Sequence, residues 1–237
     1  NFTDFAPLEA HPVMGVRYVK SAAELKQPDM IILPGTKSTV DDLLWMRQNG
    51  IEAAVLKLAS SGVPVLGVCG GYQMMGENLS DPEHVEGKTE HVRGMGLLPV
   101  DTVFTADKTR TRYKAQVRTG PFAGAALDGY EIHMGESSVK GAPFCTFENG
   151  CDDGCCTGDV FGTYLHGLFD TGELTEKLAE YLCRRKGIEY EEASPISRAS
   201  YVQQQYDILA DNVRGALDMK RIYEVMGRYD PSKERRA

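Results

Sequence analysis

The sequence lacks the features that mark membrane, secreted or nucleic-acid-binding proteins. No apolar run among its 237 residues approaches the roughly 18–20 residues that a membrane-spanning helix needs. Lysine and arginine number 26 against 34 aspartate and glutamate, a formal charge of −8, so no basic surface for nucleic acid is expected. No signal-peptide pattern opens the chain, and its six cysteines therefore indicate reduced thiols in the cytoplasm.

A phosphate-binding loop of the G-x-x-x-x-G-K-[ST] type is also absent. Lys37-Ser38-Thr39 imitates the end of such a loop, but the glycine that should precede the lysine is missing. We therefore expect no ATP site at this loop. The chain begins at Asn1 rather than methionine, and we expect it to be a fragment in which residues 1–12 are the remnant of an interdomain linker.

Four of the six cysteines lie close together in the sequence, at Cys145, Cys151, Cys155 and Cys156. Their C-x5-C-x3-C-C spacing matches no ordinary zinc pair, and the adjacent Cys155 and Cys156 would point to opposite faces of a strand. We predict incidental thiols around a hairpin and no metal site.

Apolar runs that alternate with helical patterns predict an α/β domain with buried parallel strands. Such strands are predicted at Val13–Val19, Asp29–Leu33 and Val63–Val68. One helix is predicted from the Ser38 or Thr39 cap to Asn49-Gly50, and a second over Ile51–Ser60.

The middle of the chain is rich in β-forming residues. Strands are predicted at Leu97–Phe104, Thr109–Val117 and Tyr130–His133, and Asp152-Asp153-Gly154 predicts a hairpin between Phe144–Phe147 and Val160–Leu165. Helical patterns follow from Glu173. We predict one domain over residues 13–190 and a C-terminal helical extension, residues 191–237, packed on the same domain.

The stretch Val65–Gln73 carries the strongest local signal, because an apolar strand runs directly into Cys69-Gly70-Gly71. This pattern suits a sharp strand-to-helix turn that holds a nucleophile in a strained, exposed position. The N-terminus of the predicted helix Tyr72–Asn78 would favour a thiolate over a thiol. A buried structural cysteine beside a glycine-rich turn accounts for the same pattern.

A cysteine nucleophile needs a base within hydrogen-bond reach. Among five histidines, His166 is distinctive because the apolar run Gly162–Leu165 leads into it and Gly167 follows. The carboxyl ends of parallel strands meet at one edge of a sheet, so we expect His166 and Cys69 to lie close together there. A purely structural histidine is the competing interpretation.

Several longer motifs, in order along almost the whole chain, resemble the class I glutamine amidotransferase domain of the cobyric acid synthase family. They are Asn-Phe-Thr-Asp-Phe at 1–5, Leu-Pro-Gly-Thr-Lys-Ser-Thr at 33–39, Val-Cys-Gly-Gly-Tyr-Gln at 68–73, Gly-Leu-Leu-Pro-Val at 96–100, Gly-Tyr-Glu-Ile-His-Met-Gly at 129–135, Gly-Thr-Tyr-Leu-His-Gly-Leu-Phe-Asp at 162–170 and Tyr-Asp-Ile-Leu-Ala-Asp-Asn-Val-Arg at 206–214. The resemblance implies a flavodoxin-like three-layer sandwich with a mostly parallel mixed sheet and a C-terminal helical extension.

The resemblance also implies the chemistry. Cys69 attacks the side-chain amide of glutamine, and His166 transfers the proton. Backbone N–H groups of Gly35 and Gly70 hold the oxyanion, while Tyr72 and Gln73 belong to the substrate-binding part of the site, with helix capping or packing as the alternative for Gln73.

The partners are implied in the same way. Ammonia passes to an N-terminal synthetase domain, not contained in this chain, where ATP and Mg²⁺ activate carboxylates of a corrinoid. We expect this chain itself to bind glutamine and no cofactor.

One position departs from the wider amidotransferase pattern. Most class I members have Glu two residues after the histidine, where this chain has Leu168. The group that orients His166 is therefore unassigned, a Cys–His dyad is expected, and Leu168→Glu is expected to be tolerated. His133 lines the pocket or makes a structural hydrogen bond, and Glu131 and Glu136 are interpreted as solvated strand residues.

Three alternatives remain open. Two are sister amidotransferases with the same half-reaction, the cobyrinic acid a,c-diamide synthase domain and the subunit that amidates cell-wall lipid precursors. Gln73 argues against the first, and the Asn1–Phe5 motif argues against the second. The third is a non-catalytic interaction module, which the presence of Gly35, Cys69 and His166 disfavours.

Overall fold

The computed structural model of the protein describes residues 2–191 and 198–228. The chain divides into two units, Asn1–Pro195 and Ile196–Ala237. The helices of the first unit are a 3₁₀ turn at Phe2–Phe5, α1 Ala6–Glu9, α2 Ala22–Leu25, α3 Thr39–Gln48, α4 Ile51–Ser60, α5 Gly70–Met74, a 3₁₀ turn at Gly120–Phe122, and α6 Glu173–Arg185. Its strands are β1 Ile31–Leu33, β2 Val65–Val68, β3 Asn78–Ser80, β4 His91–Arg93, β5 Val100–Val117, β6 Ala126–Val139, β7 Cys145–Phe147, β8 Asp152–Asp153, β9 Cys155–Thr157 and β10 Val160–Thr163.

A four-stranded sheet in the order β1-β2-β10-β9 forms the middle layer. β2 pairs in parallel with β1 and with β10, and β9 is antiparallel to β10. All four residues of β2 are buried, as expected for a strand covered on both faces. Cys69 follows the end of β2 directly, and His166 lies three residues after the end of the adjacent β10.

Successive residues of β2 pack into two different cores because strand side chains alternate between faces. Val65 joins Val40, Leu43 and Val55 of α3 and α4 on one face. Leu66 and Val68 join Leu174 and Leu178 of α6 on the other. The helices on both faces of the sheet make the three-layer α/β sandwich that was predicted.

A second sheet, in the order β4-β3-β5-β7-β8, has β6 paired to β5. β5 and β6 form a long antiparallel hairpin with an irregular register between Val103 and Lys108. β6 also pairs with the segment that follows β10, through an isolated antiparallel bridge between Tyr130 and His166. The β-rich middle of the chain therefore flanks the carboxyl edge of the parallel strands.

Two predicted elements are wrong, and the helix predicted over Tyr72–Asn78 is the shorter α5, Gly70–Met74, with Asn78 already in β3. Val13–Val19 forms no strand, and Val13 is more than half exposed. Met14, Val16 and Val19 are only partly buried against the two cores, and the segment pairs with no strand among the described residues. Asp152–Asp153 is the short strand β8, paired to β7, rather than a turn. The left-handed conformation of Gly154 instead carries the chain from β8 into β9.

The N-terminal residues also differ from the predicted linker. Ala6–Glu9 is a helical turn, and Phe5 and Leu8 lie in the same core as Val68 and Leu174. His11 is buried and lies 3.2 Å from Glu176 of α6. This segment is an integral part of the first unit.

The second unit contains α7 at Arg198–Ala216 and α8 at Met219–Arg228. The predicted helical character of the extension is confirmed, whereas its packing on the first unit stays a prediction. No helix in the described part of the chain is long and apolar enough to cross a membrane.

A buried acidic pair lies beneath β10. Asp153 accepts hydrogen bonds from the Thr163 hydroxyl and the Tyr164 backbone N–H. Burial raises the pKa of Asp153. Glu131, expected to be solvated, is only 7% exposed, and burial together with the charge of Asp153 raises its pKa from 4.5 to about 7. Glu136 on the same strand is exposed.

We predict that Glu131 weakens the fold as it ionises. Its pKa is higher in the folded than in the unfolded chain, so the folded state loses stability as pH rises from about 4.5 through 7. Glu131→Gln removes this titration. The free energy of unfolding of the variant, relative to that of the wild type, should therefore be more favourable at pH 8 than at pH 5. Urea unfolding at both pH values measures this, with the exposed Glu136→Gln as control. An equal difference at the two pH values would contradict the prediction.

Candidate active site

Cys69 occupies a strained turn between β2 and α5. Its φ of 51° and ψ of −113° are rare for a residue with a side chain. Two glycines make room, because a Cβ on Gly71 would overlap the carbonyl oxygen of Leu33 and one on Gly70 would approach Thr36 Cγ2 to 2.6 Å. The thiol is 6% exposed, and its Sγ lies 3.6 Å from the carbonyl oxygen of Ile132.

His166 lies beside Cys69, just beyond β10. Its backbone exchanges two hydrogen bonds with Tyr130, of 2.8 and 3.1 Å, which hold it against β6. The Tyr130 ring stacks on the imidazole with ring centroids 5.2 Å apart. The Cys69 N–H in turn donates to Thr163 at 2.8 Å, so the turn that carries the cysteine is tied to the strand that leads to the histidine.

Gly35, which follows β1, borders the side chains of both Cys69 and His166. A Cβ at this position would lie 2.9 Å from Cε1 of His166, 3.5 Å from its Nε2 and 3.4 Å from Cβ of Cys69. The structure thus brings Gly35, Cys69 and His166 together at the carboxyl ends of three adjacent parallel strands. Any side chain at position 35 would push the imidazole out of place.

Sequence reasoning missed one residue of this site. Nδ1 of His166 lies 2.7 Å from Oδ2 of Asp4, and both side chains are 6% exposed. Asp4 belongs to the 3₁₀ turn at Phe2–Phe5, 162 residues away in the chain. The available signal was an aspartate between Phe2 and Phe5 in the Asn-Phe-Thr-Asp-Phe motif, in a segment for which the sequence predicts a linker remnant.

The electrostatics of His166 favour its protonated form at neutral pH. Burial by itself lowers the pKa of the imidazole, but hydrogen bonds with Asp4 and Cys69 outweigh it and raise the pKa to about 9. His133 lies near enough for its charge to oppose that of His166, and burial lowers the pKa of His133. His133 therefore favours the neutral state, while His166 favours the charged one.

The side chain of Gln73 links elements around the site by hydrogen bonds. Its Nε2 donates to the carbonyl oxygen of Met134 at 3.0 Å and to Tyr164 at 3.2 Å, and its Oε1 accepts from Thr39 at 3.1 Å. Both amide N–H groups are thus engaged within the protein, and the side chain is 2% exposed. The packing alternative for Gln73 fits this geometry better than contact with substrate.

Tyr72 does not face Cys69, in contrast to its predicted place among substrate-binding residues. It is fully buried, and its ring packs edge-on against Tyr164 at 5.1 Å. Gly162 is required beside it, because a Cβ there would overlap the Tyr72 ring. Tyr72 is the core anchor of α5.

His133 and Leu168 also have structural surroundings. The His133 ring stacks on Tyr164 at 3.8 Å, and its Nδ1 lies 3.2 Å from the carbonyl oxygen of Gly135. Leu168 is 2% exposed within the core that contains Phe169. A glutamate at position 168 would bury a carboxylate, so the expected tolerance of Leu168→Glu does not fit the structure.

The cysteines of the predicted hairpin are free thiols spread from the core to the surface. Cys145 and Cys155 are buried, Cys156 is partly buried and Cys151 is exposed. Within residues 2–191 and 198–228, no three His, Cys, Asp or Glu side chains are grouped so that they could hold a metal ion. A metal-free cluster stays a prediction.

Residues 1–174 match the CobB/CobQ-like glutamine amidotransferase domain. This chain belongs to that family. The match begins at the N-terminal segment that carries Asp4 and ends in α6, and it includes Cys69 and His166.

Curated relatives agree with this assignment. The chain is 44% identical over 246 residues to a cobyric acid synthase of Lachnoclostridium phytofermentans, covering 95% of this chain and 48% of the relative. It is 43% identical over 242 residues to a cobyric acid synthase of Yersinia enterocolitica, with coverage of 95% and 47%. The chain therefore spans about half the length of these relatives.

Solved structures agree on the fold. A glutamine amidotransferase structure matches with a TM-score of 0.55 at 16% identity, covering 79% of this chain and 95% of its own. PurLQS from Thermotoga maritima matches with a TM-score of 0.55 at 19% identity, covering 78% and 92%. These likenesses place the first unit in the class I glutamine amidotransferase fold.

We predict that Gly35→Ala inactivates the site without unfolding the protein. The added methyl group would meet His166 Cε1 at 2.9 Å, and a displacement of this kind costs about 10²-fold in rate. Gly15→Ala is the matched control, because a Cβ there has no atom within 4 Å. Glutaminase rates and thermal unfolding of both variants test this. A fully active Gly35→Ala protein would contradict the geometry.

Proposed function

We propose that this chain is the glutamine-hydrolysing domain of a cobyric acid synthase, and that it releases ammonia through a thioester on Cys69. One observation carries the proposal. A cysteine in a strained strand-to-helix turn lies beside a buried histidine, and a glycine leaves room for both. This is the arrangement in which an activated nucleophile and its base are expected.

In the proposed first step, His166 takes the proton of the Cys69 thiol, and the thiolate attacks the amide carbon of bound glutamine. The raised pKa of His166 favours this transfer, because it stabilises the imidazolium that the transfer forms. The imidazolium then gives its proton to the departing ammonia. Water, deprotonated by the same imidazole, hydrolyses the γ-glutamyl thioester and frees the enzyme.

The negative oxygen of the tetrahedral intermediate needs hydrogen-bond donors close to Cys69. We assign this role to the backbone N–H groups of Gly35 and Gly70. Gly70 is the first residue of α5, and the first N–H groups of a helix have no partner within it. Gly35 borders both Cys69 and His166. Neither position has room for a side chain, which would otherwise shield the donors.

The relatives support a proposal for the acceptor of the ammonia. They are cobyric acid synthases about twice as long as this chain. We propose that a synthetase domain of the complete protein binds ATP and Mg²⁺ and activates corrinoid carboxylates, which ammonia from Cys69 converts to amides. Adenosylcobyrinic acid a,c-diamide would be the substrate and adenosylcobyric acid the product.

We predict that a diazo-ketone analogue of glutamine labels Cys69 selectively. Cys69 is 6% exposed whereas Cys151 is exposed, so simple accessibility would favour Cys151. A substrate-directed reagent should favour Cys69, because it is held beside the base that activates it. Peptide mapping by mass spectrometry locates the adduct, and excess glutamine should protect Cys69. An adduct on Cys151 or Cys183 with Cys69 unmodified would refute the assignment.

We predict that His166→Ala lowers the glutaminase rate by about 10²–10⁴-fold, the usual contribution of a positioned proton-transfer group. His133→Ala is the matched comparison, because this histidine is also partly buried near the site but stacks on Tyr164. Its effect should be much smaller. Steady-state glutaminase assays of the complete protein provide the comparison. An inactive His133→Ala protein beside an active His166→Ala protein would place the base on the other histidine.

A further inference from the structure

We infer that Asp4 is the positioning residue for His166 and does the work that a glutamate two residues after the histidine does in most class I amidotransferases. The inference rests on the proposed function of Cys69 and His166. Its basis is the 2.7 Å contact between Oδ2 of Asp4 and Nδ1 of His166. The position that would otherwise supply the carboxylate is Leu168, a buried core residue.

The contact fixes which nitrogen of His166 serves Cys69. A carboxylate at Nδ1 accepts the N–H of that nitrogen, which leaves Nε2 to exchange the proton of the thiol. Nε2 is the nitrogen nearest the open position beside Gly35, where the Cys69 side chain also lies. The same contact sets the ring orientation, since the imidazole is held by Asp4 at one edge and by Tyr130 over one face.

Charge supports the same role. The Asp4 side chain is 6% exposed, and a carboxylate this deeply buried is costly unless a positive group faces it. The protonated imidazole of His166 is that group. Other titratable groups that face His166 are Cys69, His133 and Tyr130, and of these only Cys69 joins Asp4 in stabilising the imidazolium.

The segment that carries Asp4 is anchored independently of this contact. Phe5 and Leu8, immediately after it, are buried in the core of the first unit. Farther along, His11 lies 3.2 Å from Glu176, and Tyr190 donates a hydrogen bond to the same carboxylate. These contacts should keep the segment in place when the Asp4 carboxylate is changed. A role in positioning can therefore be separated from a role in folding.

The test uses Asp4→Asn, which keeps the shape and removes the charge, and Asp4→Glu, which restores a carboxylate. We expect Asp4→Asn to lower kcat for glutamine hydrolysis in the complete protein by up to about 10⁴-fold, the loss that replacing the orienting aspartate of a Ser-His-Asp triad causes. KM for glutamine should change little. The alkaline limb of the pH–rate profile should move to lower pH, because the imidazolium loses its stabilising carboxylate. Asp4→Glu should recover part of kcat.

A second readout does not depend on activity. NMR titration of the imidazole signals, with the His166 signal identified by its loss in His166→Ala, should show a lower pKa for His166 in Asp4→Asn than in the wild type. Glu176→Gln, which alters the other anchor of the segment, should leave that pKa unchanged. An unchanged His166 titration, or an Asp4→Asn protein with wild-type kcat and pH profile, overturns the inference. The proposed function would instead be overturned if, with Asp4 unchanged, the glutamine analogue did not label Cys69 and His166→Ala did not lower the glutaminase rate.

Discussion

The backbone strain at Cys69 is the constraint on which the rest of the site depends. A residue with a side chain at φ 51° costs on the order of 1–3 kcal/mol and persists only where its surroundings enforce it. Here β2 is buried along its whole length before the turn, and Tyr72 anchors the short helix after it. Positions 70 and 71 require glycine, because a Cβ at either position would overlap atoms of the segment Leu33–Thr36. The strained turn places the Cys69 side chain, still largely buried, beside Gly35 and His166.

The site is completed by groups from distant parts of the chain. β1 contributes the glycine that follows it, β10 leads to His166, and the N-terminal turn provides Asp4. β6 closes the arrangement through Tyr130 and the Ile132 carbonyl. Buried charge links these elements, because the carboxylate of Asp4 and the imidazolium of His166 are each unfavourable in the interior without the other. Positioning and stability therefore depend on the same contacts.

Local patterns predicted the α3 and α4 helices, the β2 strand and the cysteine turn, because apolar periodicity and glycines act over a few residues. They failed at Val13–Val19, where the apolar residues are only partly buried and the segment pairs with no described strand. Local patterns did not connect Asp4 with His166, because the two residues are 162 positions apart and only the folded chain brings them together. The predicted place of Tyr72 among the substrate-binding residues differs from its observed place in the core for a related reason. Its position one turn from the nucleophile does not reveal whether the ring points into the core.

The most direct measurement is to capture the covalent intermediate. The complete protein would be mixed with glutamine, quenched in acid within the first turnovers, digested and analysed by mass spectrometry. A γ-glutamyl group is expected on the peptide that contains Cys69, present in the wild type and greatly reduced in His166→Ala. Ammonia release with no γ-glutamyl group on Cys69, or with the group on another residue, would contradict it.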